Sequence, residues 1–322
     1  MVDVGRKRPT PRRAVATGVL NAGALAYPLI VERRLPKGDA LAMAEIAGIQ
    51  GAKLASSLMP LCHPLPLDAV RVDYLALPER NAVRLYCEVK TVARTGVEME
   101  ALAGVNAALL TLYDLTKPVE PALSIEGVRL LFKEGGKSGL WLHPEGMSDE
   151  ETARYQPRAP ERLDGVPCAV FTLSDRAHAG QYGDRSGPVL TEYLDRLGAD
   201  IRVAEILPDG LEPLASRLRE MAAAGIRLCL CTGGTGLGPH DETPEALLQV
   251  ADRRVEGLAN MFRAQSQYHT PLAWLSRAEA VQIGAMLVLA LPGSPRAVAQ
   301  GMDIVSPVLA HALAMIDQKD HA

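Results

Sequence analysis

Residues 70–77 and 83–92 largely alternate apolar and polar side chains, and Pro78-Glu79-Arg80-Asn81 lies between them. A period of two interrupted by turn residues predicts an antiparallel hairpin. Helical spacing flanks it on both sides. Residues 40–58 follow Asp39, a good N-cap, and residues 98–115 are apolar at Leu102, Val105, Leu109 and Leu112. A further strand at 125–132 completes an α+β domain, read as a ferredoxin-like antiparallel sheet with helices on one face.

The second half follows a different rule. Apolar runs at 169–173, 201–207 and 226–231 alternate with helical stretches at 189–197 and 211–224. A buried strand at 285–291 and closing helices at 296–305 and 308–316 follow. This alternation predicts an α/β domain, a three-layer arrangement around a mostly parallel sheet. Between the halves, residues 142–166 are charged and proline-bearing without apolar periodicity, the composition of a linker. The expected division is therefore 1–141, a 142–166 linker and 167–322, with no internal repeat relating the halves.

Composition narrows the function classes. At about 150 residues per domain, 322 residues suit two domains. A content of 48% hydrophobic and 22% charged residues excludes disorder as a starting point. Three Phe, two Trp and a formal charge of -4 argue against a single-strand nucleic-acid binder, which needs stacking faces and basic grooves. The Arg6-Lys7-Arg8 and Arg12-Arg13 cluster, interrupted by prolines, reads as a solvated tail. Five scattered cysteines without metal or disulfide spacing indicate a reducing compartment. The apolar runs fall short of the roughly 20 residues a membrane span needs. A cytoplasmic protein without membrane or nucleic-acid partners is expected.

Candidate chemistry in the first half lies in short, unconnected strings. Pro60-Leu61-Cys62-His63-Pro64 sets a histidine between prolines, where a structural role competes with a site role. Glu98 and Glu100 sit at the start of a helix, where the dipole alone favours acidic residues by roughly 0.3 to 1 kcal/mol. Lys37 beside Gly38, and Lys133 and Lys137 around Gly135-Gly136, put ammonium groups next to flexible backbone, which suits a phosphate-bearing ligand.

These strings, from Met1-Val2-Asp3-Val4 through PLCHPL and TGVEMEAL to GGKSG, resemble the cyclic pyranopterin monophosphate synthase family. The resemblance implies conversion of 3′,8-cyclo-7,8-dihydroguanosine triphosphate to the tricyclic pterin, with release of pyrophosphate. It implies that Leu61, Cys62, His63, Met99 and Glu100 contact the substrate and that Asp114 is the principal acid/base residue. Lys37, Lys117 and Lys133 would hold phosphate or move protons, with Glu98 in support. The site would lie across a dimer interface within a hexamer, a trimer of dimers. The stretch before Lys37, Val31-Glu32-Arg33-Arg34-Leu35-Pro36, departs from the family's Asp-Gly turn.

In the second half, Thr232-Gly233-Gly234-Thr235-Gly236 ends a strand and precedes a helix. Such a run lets backbone amides approach phosphate, although a plain tight turn explains it as well. It is neither a Walker loop nor a dinucleotide fingerprint. Asp241 alone could be a helix cap. The neighbouring strand ends carry Ser174-Asp175, Asp209 and Ser294, which a doubly wound sheet gathers on one edge. SDRAHAGQYGDRSG, TGGTGLGPHDETPEA, LSR and LPGSP resemble the molybdopterin adenylyltransferase family. The resemblance implies adenylylation of molybdopterin with ATP as co-substrate. Asp209 and Asp241 would be catalytic and bind Mg2+. Ser174, Asp175, Thr232, Gly233, Gly234, Thr235, Gly236 and Ser294 would cradle the ligand. The alternative is a domain that only binds or scaffolds pterin.

Overall fold

The central strand of the first half, β1 (Thr10–Asn21), begins inside the basic cluster and carries both Arg12 and Arg13. The expected solvated tail therefore ends before Arg12. Residues 14–20 are buried throughout. Both sheet faces are covered, so this strand shows no polar alternation to read. The computed structural model describes residues 1–318 and divides into two units, Met1–Ala159 and Pro160 onward.

After β1 come α1 (Gly23–Val31), α2 (Ala40–Lys53), α3 (Ala55–Leu58), β2 (Ala69–Leu77), β3 (Ala82–Ala93), α4 (Glu98–Thr116), β4 (Ser124–Gly135) and β5 (Trp141–Leu142). Asp39 caps α2 by accepting from the Ala42 amide at 3.1 Å. The single helix expected over 40–58 breaks at Leu54 into α2 and α3. The strands form one antiparallel sheet in the order β2-β3-β1-β4-β5. One face, with Ala14, Ala16, Leu85, Cys87 and Val89, packs on Leu109 and Leu112 of α4 and Ala44 of α2.

The other face is covered by the stretch expected to be a linker. There α5 (Asp149–Tyr155) starts with a capping box: Ser148 Oγ accepts from the Glu151 amide, and Glu151 Oε2 accepts from the Ser148 amide. Tyr155, 4% exposed, packs with Val15, Tyr86, Leu131 and Phe132. One buried aromatic and one buried carboxylate hold this helix, so it has no apolar stripe for periodicity to find. The first unit accordingly runs beyond residue 141.

The second unit contains β6 (Pro167–Leu173), α6 (Asp175–His178), α7 (Gly187–Arg196), β7 (Asp200–Leu207), α8 (Leu211–Ala223), β8 (Leu228–Thr232) and α9 (Thr243–Val250). It continues with β9 (Arg253–Arg254), α10 (Glu256–Ser266), β10 (Glu279–Ile283), β11 (Met286–Leu291) and α11 (Pro295–Ile316). The sheet is mixed, in the order β7-β6-β8-β11-β10-β9. The first four strands are parallel, and β10 and β9 are antiparallel to their neighbours. Alternate residues serve opposite layers. Val170, Leu230 and Leu289 meet α7, α10 and α11, while Phe171, Cys231 and Val288 meet α8 and α9.

The two closing helices are one. Val298, Met302, Val305, Leu309 and Leu313 form a single buried face across Pro307, and that continuity carries α11 past a residue without an amide donor. Among the described residues α11 is the one helix long and apolar enough to cross a membrane. Here that face lies on the mixed sheet.

Candidate functional site

The glycine loop leaves β8 with Gly233 and Gly234 at φ of 106° and 60°. A Cβ on Gly233 would collide with the Leu173 carbonyl, and one on Gly234 with Thr243 Oγ1. Only glycine permits this path. It opens onto a cavity of about 590 Å³ at the carboxyl ends of the parallel strands. Of the sequence candidates, Ser174, Asp209, Gly233, Gly234, Thr235, Gly236 and Asp241 line it.

Three other candidates act beside the cavity. The Thr232 hydroxyl donates to the Pro292 carbonyl at 3.0 Å, and Ser294 Oγ caps α11 by accepting from the Ala297 amide at 3.2 Å. Asp175 and Asp209 each accept from the other's backbone amide, at 3.0 and 2.9 Å, which locks the ends of β6 and β7 together. Asp241 does not cap α9. Its Oδ2 accepts from the Gly238 amide at 2.8 Å and closes the loop on itself. Ser174 Oγ caps α6 and bonds Tyr182 Oη at 2.9 Å.

Other lining residues, apart from Leu275 of the LSR string, went unread in the sequence. Phe262 and Ser266 of α10, and Leu272, Ala273 and Leu275 on the following 3-10 turn, form an apolar wall. Ser266 Oγ is buried without a hydrogen-bond partner. Tyr182 and Phe262 also give the cavity two aromatic rings despite the chain's low aromatic content. Mg2+ takes one or two carboxylates plus substrate phosphates rather than a full protein cage. Asp209 and Asp241 fit that role, because both line the cavity and each commits Oδ2 to an amide while its Oδ1 takes no hydrogen bond among the described residues.

In the first unit the candidates gather at opposite ends of α4. At its C-terminal end Asp114 takes an ion pair from Lys117 at 2.6 Å and one from Lys37 at 3.3 Å. Lys117 chiefly, then Lys37, holds the Asp114 carboxyl below the ordinary carboxylate range, and Asp114 holds Lys117 above the ordinary lysine range. Lys37 reaches its partner despite Pro36. Arg33, at φ 59°, supplies the left-handed residue that ends α1.

At the N-terminal end of α4, Glu100 is 3% exposed, its Oε2 has no partner, and burial pushes its pKa up. Cys62 Sγ lies 3.6 Å from Glu100 Oε1, and burial raises this thiol as well. Lys133 pairs with Glu98 at 2.7 Å. Met99 and Leu61 are exposed and His63 is half-buried. Lys137 follows the glycine turn in the loop after β4. Arg12, read from sequence as tail, belongs here: its Nε is buried without a partner and its guanidinium fills the space a Cβ on Gly136 would need. Burial lowers its pKa, against a rise from Glu98. A rise of 1.5 Å per residue puts Glu98 and Asp114 about 24 Å apart along the helix. One chain therefore holds these candidates as two separate clusters.

The MoaC family model matches residues 1–136, and the model described as "Probable molybdopterin binding domain" matches residues 169–311. Over 322 residues the chain is 42% identical to the molybdenum cofactor biosynthesis bifunctional protein of Synechococcus elongatus, and covers 98% of it. It is 36% identical to the bifunctional protein of Chlorobaculum tepidum, covering 96% of that protein. Its first part is 50% identical over 139 residues to the cyclic pyranopterin monophosphate synthase of Cereibacter sphaeroides; this is 43% of this chain and 87% of that one. The solved MoaB structure from Thermus thermophilus aligns with a TM-score of 0.46 and 37% identity, over 48% of this chain and 98% of that one. The chain belongs to the family of molybdenum cofactor biosynthesis bifunctional proteins.

Proposed function

We propose that the first unit converts 3′,8-cyclo-7,8-dihydroguanosine triphosphate to cyclic pyranopterin monophosphate and pyrophosphate. The observation that carries this is the opposite perturbation of two carboxyl groups on α4. Asp114, held ionised by Lys117 and Lys37, suits a proton acceptor. Glu100, pushed toward its neutral form by burial beside Cys62, suits a proton donor. Divergent pKa values in one site are how a protein divides acid from base work. Lys37, Lys117, Lys133 and Arg12 supply cations for a triphosphate and its leaving pyrophosphate.

Because the two clusters lie at opposite ends of α4, we assign the working site to two chains, one giving its Asp114 end and the other its Glu100 end. A homo-oligomer, a hexamer built as a trimer of dimers, is the matching assembly. Mixing Glu100→Gln and Asp114→Asn chains after partial unfolding tests this directly. Restored turnover in the mixture supports a shared site, whereas two silent variants that stay silent together place it within one chain.

The second unit is read as adenylylating molybdopterin with ATP. The cavity combines a glycine loop for phosphates, Asp209 and Asp241 for Mg2+, and an apolar wall for a ring system. When bound, the cation would add positive charge at the triphosphate. Pyrophosphate release from molybdopterin and Mg-ATP, with product identification, tests this reading. Pterin binding without release would make the unit a binding module. The strand order β2-β3-β1-β4 with intervening helices supports a ferredoxin-like description of the first unit. Five free thiols, four of them buried, support a cytoplasmic setting.

A further inference from the structure

We infer that Arg277 is a positioning residue for the C-terminal cavity, aiming the outer amides of the glycine loop and holding Asp241 where both meet a ligand's phosphates. The inference rests on reading that cavity as a phosphate-ligand site. Its basis is where the loop's carbonyls go. Gly233 O accepts from Thr243 Oγ1 at 3.0 Å and Gly234 O from the Thr243 amide at 3.1 Å. Thr235 O accepts from the Arg277 amide at 2.9 Å, and Gly236 O from Arg277 Nε at 2.7 Å. Four successive carbonyls are tethered, two by Thr243 and two by Arg277.

In a trans peptide the next amide points opposite to the carbonyl, so each tether aims the N–H that follows. Those are the amides of Gly234, Thr235, Gly236 and Leu237, none of which has an acceptor among the described residues. Successive free amides on one side of a loop make an anion cradle. The Arg277 side chain alone sets the last of them. Its second arm donates to the Asp241 carbonyl, and the same guanidinium pairs with Glu245 on α9. Residue 277 directly follows Leu275 and Ser276 of the cavity wall, so one side chain joins that wall to the loop. A lysine cannot replace it. An ammonium is a compact point charge, whereas these acceptors require the guanidinium fork.

The test uses the full-length chain with Arg277→Lys and Arg277→Ala, and Glu245→Gln as a control for the charge pair alone. Calorimetric titration with Mg-ATP, amide exchange over residues 234–241 without ligand, and kcat and KM for pyrophosphate release are the readouts. Loss of a charge-assisted hydrogen bond weakens Mg-ATP binding about tenfold or more in Arg277→Lys and Arg277→Ala. Exchange at the hydrogen-bonded Gly238 and Asp241 amides accelerates about as much, and methylguanidinium restores binding to Arg277→Ala. Glu245→Gln retains wild-type binding. Wild-type affinity and exchange in both Arg277 variants would overturn the inference. If Arg277→Ala fails to fold, Arg277→Lys, which keeps the charge, decides. If the wild-type chain binds no Mg-ATP, the nucleotide reading falls separately. The positioning role is then retained by faster exchange at the Gly238 and Asp241 amides in the variants and overturned by unchanged exchange.

Discussion

Tyr155 tests whether the segment after residue 141 belongs to the first unit. Its ring lies 5.4 Å from that of Tyr86 and 6.4 Å from that of Phe132, and it is buried at 4% exposure. Its phenol oxygen has no hydrogen-bond partner, and burial pushes its pKa well up. These facts make opposite predictions for two substitutions. Tyr155→Phe removes an unpaired buried hydroxyl, whose penalty is about 1–3 kcal/mol. The small void left behind takes back part of that, for a net stabilisation of about 1 kcal/mol. Tyr155→Ala loses an aromatic side chain, at about 3–5 kcal/mol, while relieving the same penalty, for a net cost of about 2 kcal/mol. In a unit of this size each kcal/mol moves the melting temperature by about 2–4 °C. Tyr155→Phe should therefore melt about 3 °C higher and Tyr155→Ala about 6 °C lower. The chain's two tryptophans, Trp141 and Trp274, fall one in each unit. Trp141 fluorescence in a Trp274→Phe background thus follows the first unit alone. Unchanged melting in Tyr155→Ala would mean that the segment is an undocked linker, and a lower melting temperature in Tyr155→Phe would mean that the hydroxyl is paired.

Three further outcomes follow from the same structure. Glu100 has a raised pKa in the folded state, so its stabilising contribution is complete at low pH and is lost as pH rises through that value. Glu100→Gln should then melt above wild type at about pH 8 by the equivalent of about 1–3 kcal/mol, converge with it toward about pH 4, and lose synthase turnover. Gly234→Ala forces a Cβ onto Thr243 Oγ1 at φ 60° and should abolish Mg-ATP binding in calorimetry while costing the second unit about 1–2 kcal/mol or more. Arg33→Gly should raise the first unit's melting temperature by about 2–4 °C, because Arg33 occupies the left-handed position of a Schellman motif with Arg34 N bonded to Leu29 O at 2.8 Å. An unchanged value would mean that the Arg33–Asp39 ion pair offsets the strain.

What could be read from the sequence followed one-sided burial. The hairpin of β2 and β3, the capped start of α2 and the strand–helix alternation from β6 to β8 all present periodicity, because each element has an inside and an outside. β1 was hidden because it is covered on both faces and opens with two arginines. One of these, Arg13, is itself part-buried, bonding Glu88 and Glu134 and donating to the Tyr155 carbonyl at 2.7 Å. α5 was hidden for the opposite reason: seven residues hold on by Tyr155 and by Glu151, which accepts from Arg84 and Tyr86 at 3.0 Å each. A charged segment can dock when its buried carboxylate finds partners, and no hydrophobic pattern announces it.

The site followed the same division. Residue types with intrinsic chemistry, such as Asp114, Glu100 and the glycine loop, stood out as strings. Arg277 was visible only as the end of the LSR string and Arg12 only as tail, with no role assigned to either, because an arginine's role depends on which carbonyls or cavities surround its fork. Three-dimensional placement, not local composition, decides that.

The carboxylates of α4 show why stability alone does not account for these residues. Acidic side chains are favoured at a helix N-terminus, yet Glu100 is buried there with an unsatisfied oxygen, which forfeits the advantage of its position. A carboxylate at the C-terminal end opposes the helix dipole, yet Asp114 sits there and is held by two lysines, one of them 77 residues away in the chain. A leucine at one end and a lysine at the other would serve the fold better in both places. Burial that pushes one carboxyl group above the ordinary carboxylate range, and lysines that hold the other below it, suit a helix whose two ends give and take protons. Since the helix holds them apart, the proposed shared site would join them by bringing the opposite end of a second copy alongside.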